Sequence, residues 1–217
     1  MKPIKDQFWL LLCIVFFTAC GTGEGPAQDA VTDDQTLGLI TTLGLHFTPE
    51  GGGDALSFFW RDSQGESAPL VDQIPLPDGS NHGHHDTQNY ILEIEAWNDL
   101  EEPPRDVTLD IQEASEEFQF FFTGSGVEGP ATGDNSGAVI SHAYADTDAG
   151  GLPLGLSNTV STLDWGSGEL TVTLRHLLDG DGHSVKEDGL VGDVAAGSFA
   201  SIAGENKLQV TFDLEVQ

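Results

Sequence analysis

Three short runs hold the residues best suited to chemistry. In Asn81-His82-Gly83-His84-His85-Asp86, three imidazoles and a carboxylate fall within five residues of a polar loop. Neutral imidazole suits Zn²⁺, Cu²⁺ and Ni²⁺, so His82, His84 and His85 are candidate transition-metal ligands. The run lacks the helical or strand spacing that presets a tetrahedral site, and a solvated loop is the competing reading. In Asp146-Thr147-Asp148-Ala149-Gly150-Gly151, alternate carboxylates in a glycine-containing turn present oxygens as Ca²⁺ loops do, making Asp146 and Asp148 candidate ligands. Asp179-Gly180-Asp181-Gly182-His183 is a second run of this kind. Neither completes an EF-hand, and Asp and Gly are also the default turn residues. His142, His176 and His183 could add ligands across the fold, although His176 shares the parity of Leu170, Val172 and Leu174 and reads as a strand-end histidine. The third run, Asn98-Asp99-Leu100-Glu101-Glu102-Pro103-Pro104-Arg105-Asp106, is either an acidic surface for a basic partner or a solvated connection stiffened by proline.

Known catalytic signatures are missing. The chain has no His-Glu-x-x-His, no Gly-x-Ser-x-Gly and no phosphate-cradling glycine loop leading into a helix. Paired carboxylates carry no information in a chain of 217 residues with 36 Asp or Glu against 7 Lys or Arg, so the sequence reads as a non-enzyme. The formal charge of −29 excludes nucleic acid as a partner, because a phosphate backbone is held by clustered cations. With 38% hydrophobic residues, including 12 Phe and 4 Trp, there is enough apolar material for a packed core.

The N-terminus reads as an address. A short, mildly basic head, Met1–Asp6, precedes ten unbroken apolar residues, Phe8–Phe17. That is too short for a membrane-spanning helix of about 20 residues and right for a secretory h-region of about 7–15. Phe17-Thr18-Ala19-Cys20, followed by Gly21, resembles the lipobox of bacterial lipoproteins, with Phe where Leu is usual. The resemblance implies removal of a signal peptide, 1–19, and acylation of Cys20, which anchors the protein to the membrane by lipid without spanning it. Gly21, rather than Asp, implies by the same resemblance sorting to the outer membrane, on its periplasmic face or at the cell surface. Cys13 is the only other cysteine and lies in the apolar run, so the processed chain keeps no thiol for a disulfide, zinc site or nucleophile.

From Cys20 to Thr36 the residues are mainly small, polar or acidic and read as a tether of roughly 20–25 Å. A pattern of period two then begins. Leu208, Val210, Phe212, Leu214 and Val216 alternate with polar residues, as do Leu170, Val172 and Leu174, and Tyr90, Leu92, Ile94 and Ala96 alternate less cleanly. Further strands are expected at 39–47, 55–60, 107–111, 118–122, 139–144 and 157–163, with at most a turn or two of helix near 191–196. Short strands separated by Gly-, Pro- and Asp-rich turns imply an all-β fold, an antiparallel, Ig-like β-sandwich over 37–217.

Ser57–Leu70 aligns without gaps with Ser141–Leu154, an echo that divides the body into two candidate β units, 37–122 and 123–217. The segments Phe47–Asp54, Trp97–Thr108, Glu117–Phe122, Tyr144–Leu156 and Gly168–His176 resemble uncharacterised secreted lipoproteins of Bacteroidetes-type bacteria. Some of these carry the label "type 1 periplasmic binding fold", which implies long helices that the pattern here does not contain. The family supplies an envelope location and no activity. The expected function is that of a lipid-anchored binding or accessory module for an envelope protein or glycan. The alternative is transition-metal capture for an outer-membrane uptake system through His82, His84 and His85.

Overall fold

A computed structural model describes residues 37–62, 68–80 and 84–217. The expected leader, Cys20, the expected tether and His82 lie outside the described residues. From Leu37 to Gln217 the chain forms one compact unit. It is an all-β sandwich of two sheets.

Sheet A contains β1 (Thr42–Pro49), β2 (Leu56–Arg61), β3 (Leu70–Val71), β5 (Asn89–Asn98), β6 (Arg105–Asp106), β8 (Val127–Glu128), β9 (Ile140–Tyr144) and β10 (Ser157–Thr162). Its order is β3-β2-β1-β5-β10-β9-β8, with β6 also on β5. Sheet B contains β4 (Ile74–Leu76), β7 (Phe118–Thr123), β11 (Gly166–His176) and β12 (Glu205–Val216), in the order β4-β12-β11-β7. Most pairs are antiparallel, and two short ones, β4 on β12 and β8 on β9, are parallel. Each sheet draws strands from both halves of the chain. The echo at 57–70 and 141–154 starts in two strands of sheet A, whereas the alternating strands that follow it lie on different sheets, β5 in A and β11 in B.

Alternation sets the core. Leu43, Leu45 and Phe47 of β1, Tyr90, Leu92 and Ile94 of β5, and Leu170, Val172 and Leu174 of β11 meet Phe212, Leu214 and Val216 of β12 in one buried cluster between the sheets. Strand β7 departs from alternation: all of Phe118–Phe122 is buried. Phe118, Phe120 and Phe122 face the inter-sheet core, while Phe121 faces a second cluster with Leu177, Leu190, Val194 and Ile202. That cluster is built by α2 (Leu190–Gly197), where Leu190 and Val194 lie one turn apart on the buried face. A buried Arg175 fastens this outer layer, its guanidinium donating to Ala203 O, Asn206 Oδ1, Ile202 O, Gly204 O and Phe199 O.

The expected strand at 107–111 is instead a helix, α1 (Val107–Glu113). Val107, Leu109 and Ile111 satisfy period two on paper, but the structure buries Val107 and Ile111, four residues apart, and leaves Leu109 exposed. Asp106 decides the local conformation, because its side chain accepts from Thr108 N at 2.9 Å as an N-cap. Asp106→Ala is expected to cost about 1 kcal/mol, read as a lowered urea midpoint at constant slope. Among the described residues, no helix is long and apolar enough to cross a membrane.

Candidate functional site

Sheet A has a gap. Pairing of β10 with β5 stops at Ser157 opposite Glu93, and pairing of β6 with β5 begins at Asp106 opposite Trp97. Between them β5 is served by single contacts: Ile94 N donates to Leu156 O at 2.9 Å, and Ala96 N donates to Thr108 Oγ1 at 2.9 Å. A groove of about 640 Å³ opens there between β5, α1 and the loop that follows β9. Ile94, Leu154 and Leu156 supply apolar lining, Leu109 an exposed apolar side chain, and Glu93, Glu95, Asp106, Asp146 and Asp148 acidic groups.

The loop wall is held by its own carboxylates. Asp146 accepts from the backbone N–H of Gly155, Leu156 and Ser157 at 2.7–3.0 Å. Asp148 Oδ1 accepts from Leu152 N at 2.9 Å, and Oδ2 is 2.8 Å from Lys186 Nζ, with each side chain only 1% exposed. Lys186 also donates to Ser115 O and Phe118 O at 2.7 and 2.9 Å, tying the loop to the entry of β7. Burial pushes the Asp148 carboxyl up, but the hydrogen bonds from Lys186 and from backbone N–H groups outweigh it and hold it below its ordinary value. For Lys186, burial wins over Asp148 and lowers the ammonium. The two candidate Ca²⁺ ligands are thus brought into one loop, with their oxygens turned to N–H donors and a lysine.

The far end of the loop closes the edge of sheet B. Phe120 N donates to Leu154 O, and Tyr144 Oη donates to Phe120 O, both at 2.8 Å. Gly155 makes this approach possible: its φ is +92°, and a Cβ there would sit 2.9 Å from Phe120 Cβ.

Glu93 and Glu95 also belong to the outer face of sheet A, which carries a linked set of side chains. His46 Nδ1 is 2.8 Å from Ser57 Oγ and its Nε2 is 3.3 Å from Glu95 Oε2, which also accepts from Trp97 Nε1 at 3.3 Å. Arg61 stacks over the Phe59 ring at 4.1 Å, and that ring meets His46 edge-on.

The described histidines do not gather at one site. His84 is exposed, and His85 stands edge-on to Trp165, 6.4 Å between ring centres. His176 stacks on Phe118 at 4.4 Å with Nε2 3.3 Å from Glu117, a packed strand-end residue. His183 is exposed beside Asp179, whose Oδ1 accepts from Asp181 N and His183 N and so builds a turn. His142 is buried against Phe122 and Tyr144. Among the described residues, no three His, Cys, Asp or Glu side chains converge as a metal-ligand set. In the acidic run 98–106, Arg105 pairs with Asp110 at 2.7 Å, Asn98 Nδ2 donates to Glu101, and Asp106 caps α1.

Sequence reasoning did not single out Glu93 and Glu95. Their parity on β5 marks them as outward-facing, but only the break in strand pairing distinguishes them from the other acids. Comparison with family models, with curated proteins and with solved structures gave no match to this chain. The site is therefore interpreted through its own chemistry.

Proposed function

We propose that the protein is a lipid-anchored, non-catalytic binding module of the bacterial cell envelope, and that the groove in sheet A receives its protein or glycan partner. The observation that carries this reading is the groove itself: an open, polar-walled cavity with apolar lining, framed by secondary structure and a bonded loop. Asp106, Asp146 and Asp148 are engaged in holding backbone and lysine groups, a role that favours a preorganised binding wall over acid–base chemistry. The apolar leader ending at Cys20, and the polar stretch between it and Leu37, support tethering of the folded body to a membrane.

Cross-linking in the producing cells tests both parts. A photoreactive residue at Ala149, on the groove wall, is expected to give an adduct in the membrane fraction, whereas one at Asp213, on the exposed face of β12, gives none. Cys20→Ala is expected to shift the protein to the soluble fraction. Equal labelling from positions 149 and 213 would remove the groove as the site, and membrane retention of the Cys20 variant would remove the anchor.

A further inference from the structure

Among the described residues, no lysine or arginine is ion-paired with four of the groove's five carboxylates. The described residues contain five Lys and Arg, and four of them are engaged elsewhere: Arg61 over Phe59, Arg105 on Asp110, Arg175 among carbonyls and Lys207 on Glu205. The fifth, Lys186, is bound to Asp148. Among the described residues, no Lys or Arg forms an ion pair with Glu93, Glu95, Asp106 or Asp146; Glu95 has only His46. These carboxylates stand beside apolar surface, with Ile94 and Leu154 almost fully buried and Leu109 55% exposed.

Apolar surface beside carboxylates matches one kind of side chain. Lys and Arg lay an aliphatic stem along apolar surface and hold a cation at its end. We propose that the groove takes a lysine or arginine side chain presented on an extended segment of a partner protein, an assignment that rests on the groove being the binding site. A glycan fits less well, because no aromatic side chain lines the groove for a sugar ring to stack on and a neutral ligand brings no cation to the exposed Glu93 carboxylate. A bare divalent cation fits less well too, because it needs several oxygens converging at about 2.0–2.6 Å, and no such set occurs among the described residues.

The test must separate this groove from the attraction that any basic peptide feels toward a chain of charge −29. Full-length protein purified in detergent is titrated with Ac-Gly-Lys-Gly-Lys-Gly-NH₂, with its arginine counterpart, and with a norleucine counterpart that keeps the stem and lacks the amine. A neutral N-acetylglucosamine trimer and Ca²⁺ are titrated separately. The lysine and arginine peptides are expected to bind at least tenfold more tightly than the norleucine peptide, with an affinity that falls as salt rises. Glu93→Lys, at an exposed position, and Ala149→Trp, which fills the groove, are each expected to weaken binding at least tenfold. Asp213→Lys, which makes the same charge change on sheet B, should alter it less than twofold.

Equal losses in Glu93→Lys and Asp213→Lys would reduce the binding to general attraction and overturn the proposal. So would equal affinity for the norleucine peptide. Binding of the trimer or of Ca²⁺ that Ala149→Trp abolishes, with the basic peptides silent, would overturn the ligand class and leave the groove as the binding site. Silence of every probe together with no adduct from position 149 would remove both readings.

Discussion

Asp148→Ala is expected to destabilise the folded body by about 3–5 kcal/mol at neutral pH, because it strands the Lys186 ammonium in a place where it has little access to water. The ion pair is 2.8 Å long with both side chains 1% exposed, and the two remaining lysine hydrogen bonds end on neutral carbonyls. Burial lowers Lys186 despite its partner, and once that partner is removed only the weaker effects of Asp146 and Glu116 oppose desolvation. Asp148→Asn separates charge from geometry: it keeps an acceptor for Leu152 N and is expected to recover only about 1 kcal/mol of the loss. Urea unfolding at constant slope measures both variants. Wild-type stability in the Asn variant would mean that the turn, and not the ion pair, holds the loop. The groove wall shares this dependence, since the same loop supplies Asp146, Thr147 and Ala149 to it.

Acid is expected to weaken the protein in a window set by His142. The ring is buried against Phe122 and Tyr144, with Nε2 2.9 Å from Asn158 Oδ1. Asn158 Nδ2 donates to Gly155 O, which turns its Oδ1 toward the imidazole and assigns the proton to Nε2. Nδ1 is buried with no partner among the described residues, so a second proton there would find no acceptor among them. Burial pushes His142 down to about 4, against a smaller opposing effect of the Asn158 hydrogen bond. Between that value and the ordinary 6.5, the unfolded chain binds more protons than the folded one, so stability falls with falling pH. The contribution is full above pH 7, declines through 6.5 and levels off near 4, a loss of about 3 kcal/mol. His142→Gln lacks this titration. Stability of the variant relative to wild type should therefore rise by that amount between pH 7 and pH 4, and parallel pH profiles would refute the assignment. Asp148 acts lower, because its carboxyl is held below the ordinary 3.8 and its contribution is lost only as pH falls through that range.

Strands β5 and β12 were legible because one face of each is buried and the other meets water, which writes period two directly into the residues; β11 keeps the polar alternation of Thr171, Thr173 and Arg175 although Thr173 and Arg175 are buried as well. Strand β7 was legible as an apolar run, but not as the element that packs on both faces, since the outer layer comes from α2, some 70 residues later. At 107–111 period two misled, because a run of five residues with apolar positions at 107, 109 and 111 fits both a strand and one turn of helix, and the Asp106 cap settled the matter.

Composition alone determined that the chain is strongly acidic, with a formal charge of −29, and can build a core; alternation determined that the core lies between sheets. These follow from charge totals and from the side-chain period of a strand, which are local properties. Tertiary structure decided the rest. It turned Asp146 and Asp148 toward backbone N–H groups and a lysine, buried His142 beside Asn158, and left a gap in sheet A where Glu93 and Glu95 line a groove. Each outcome depends on which distant segment supplies the neighbour, and a carboxylate or imidazole takes its role from that neighbour.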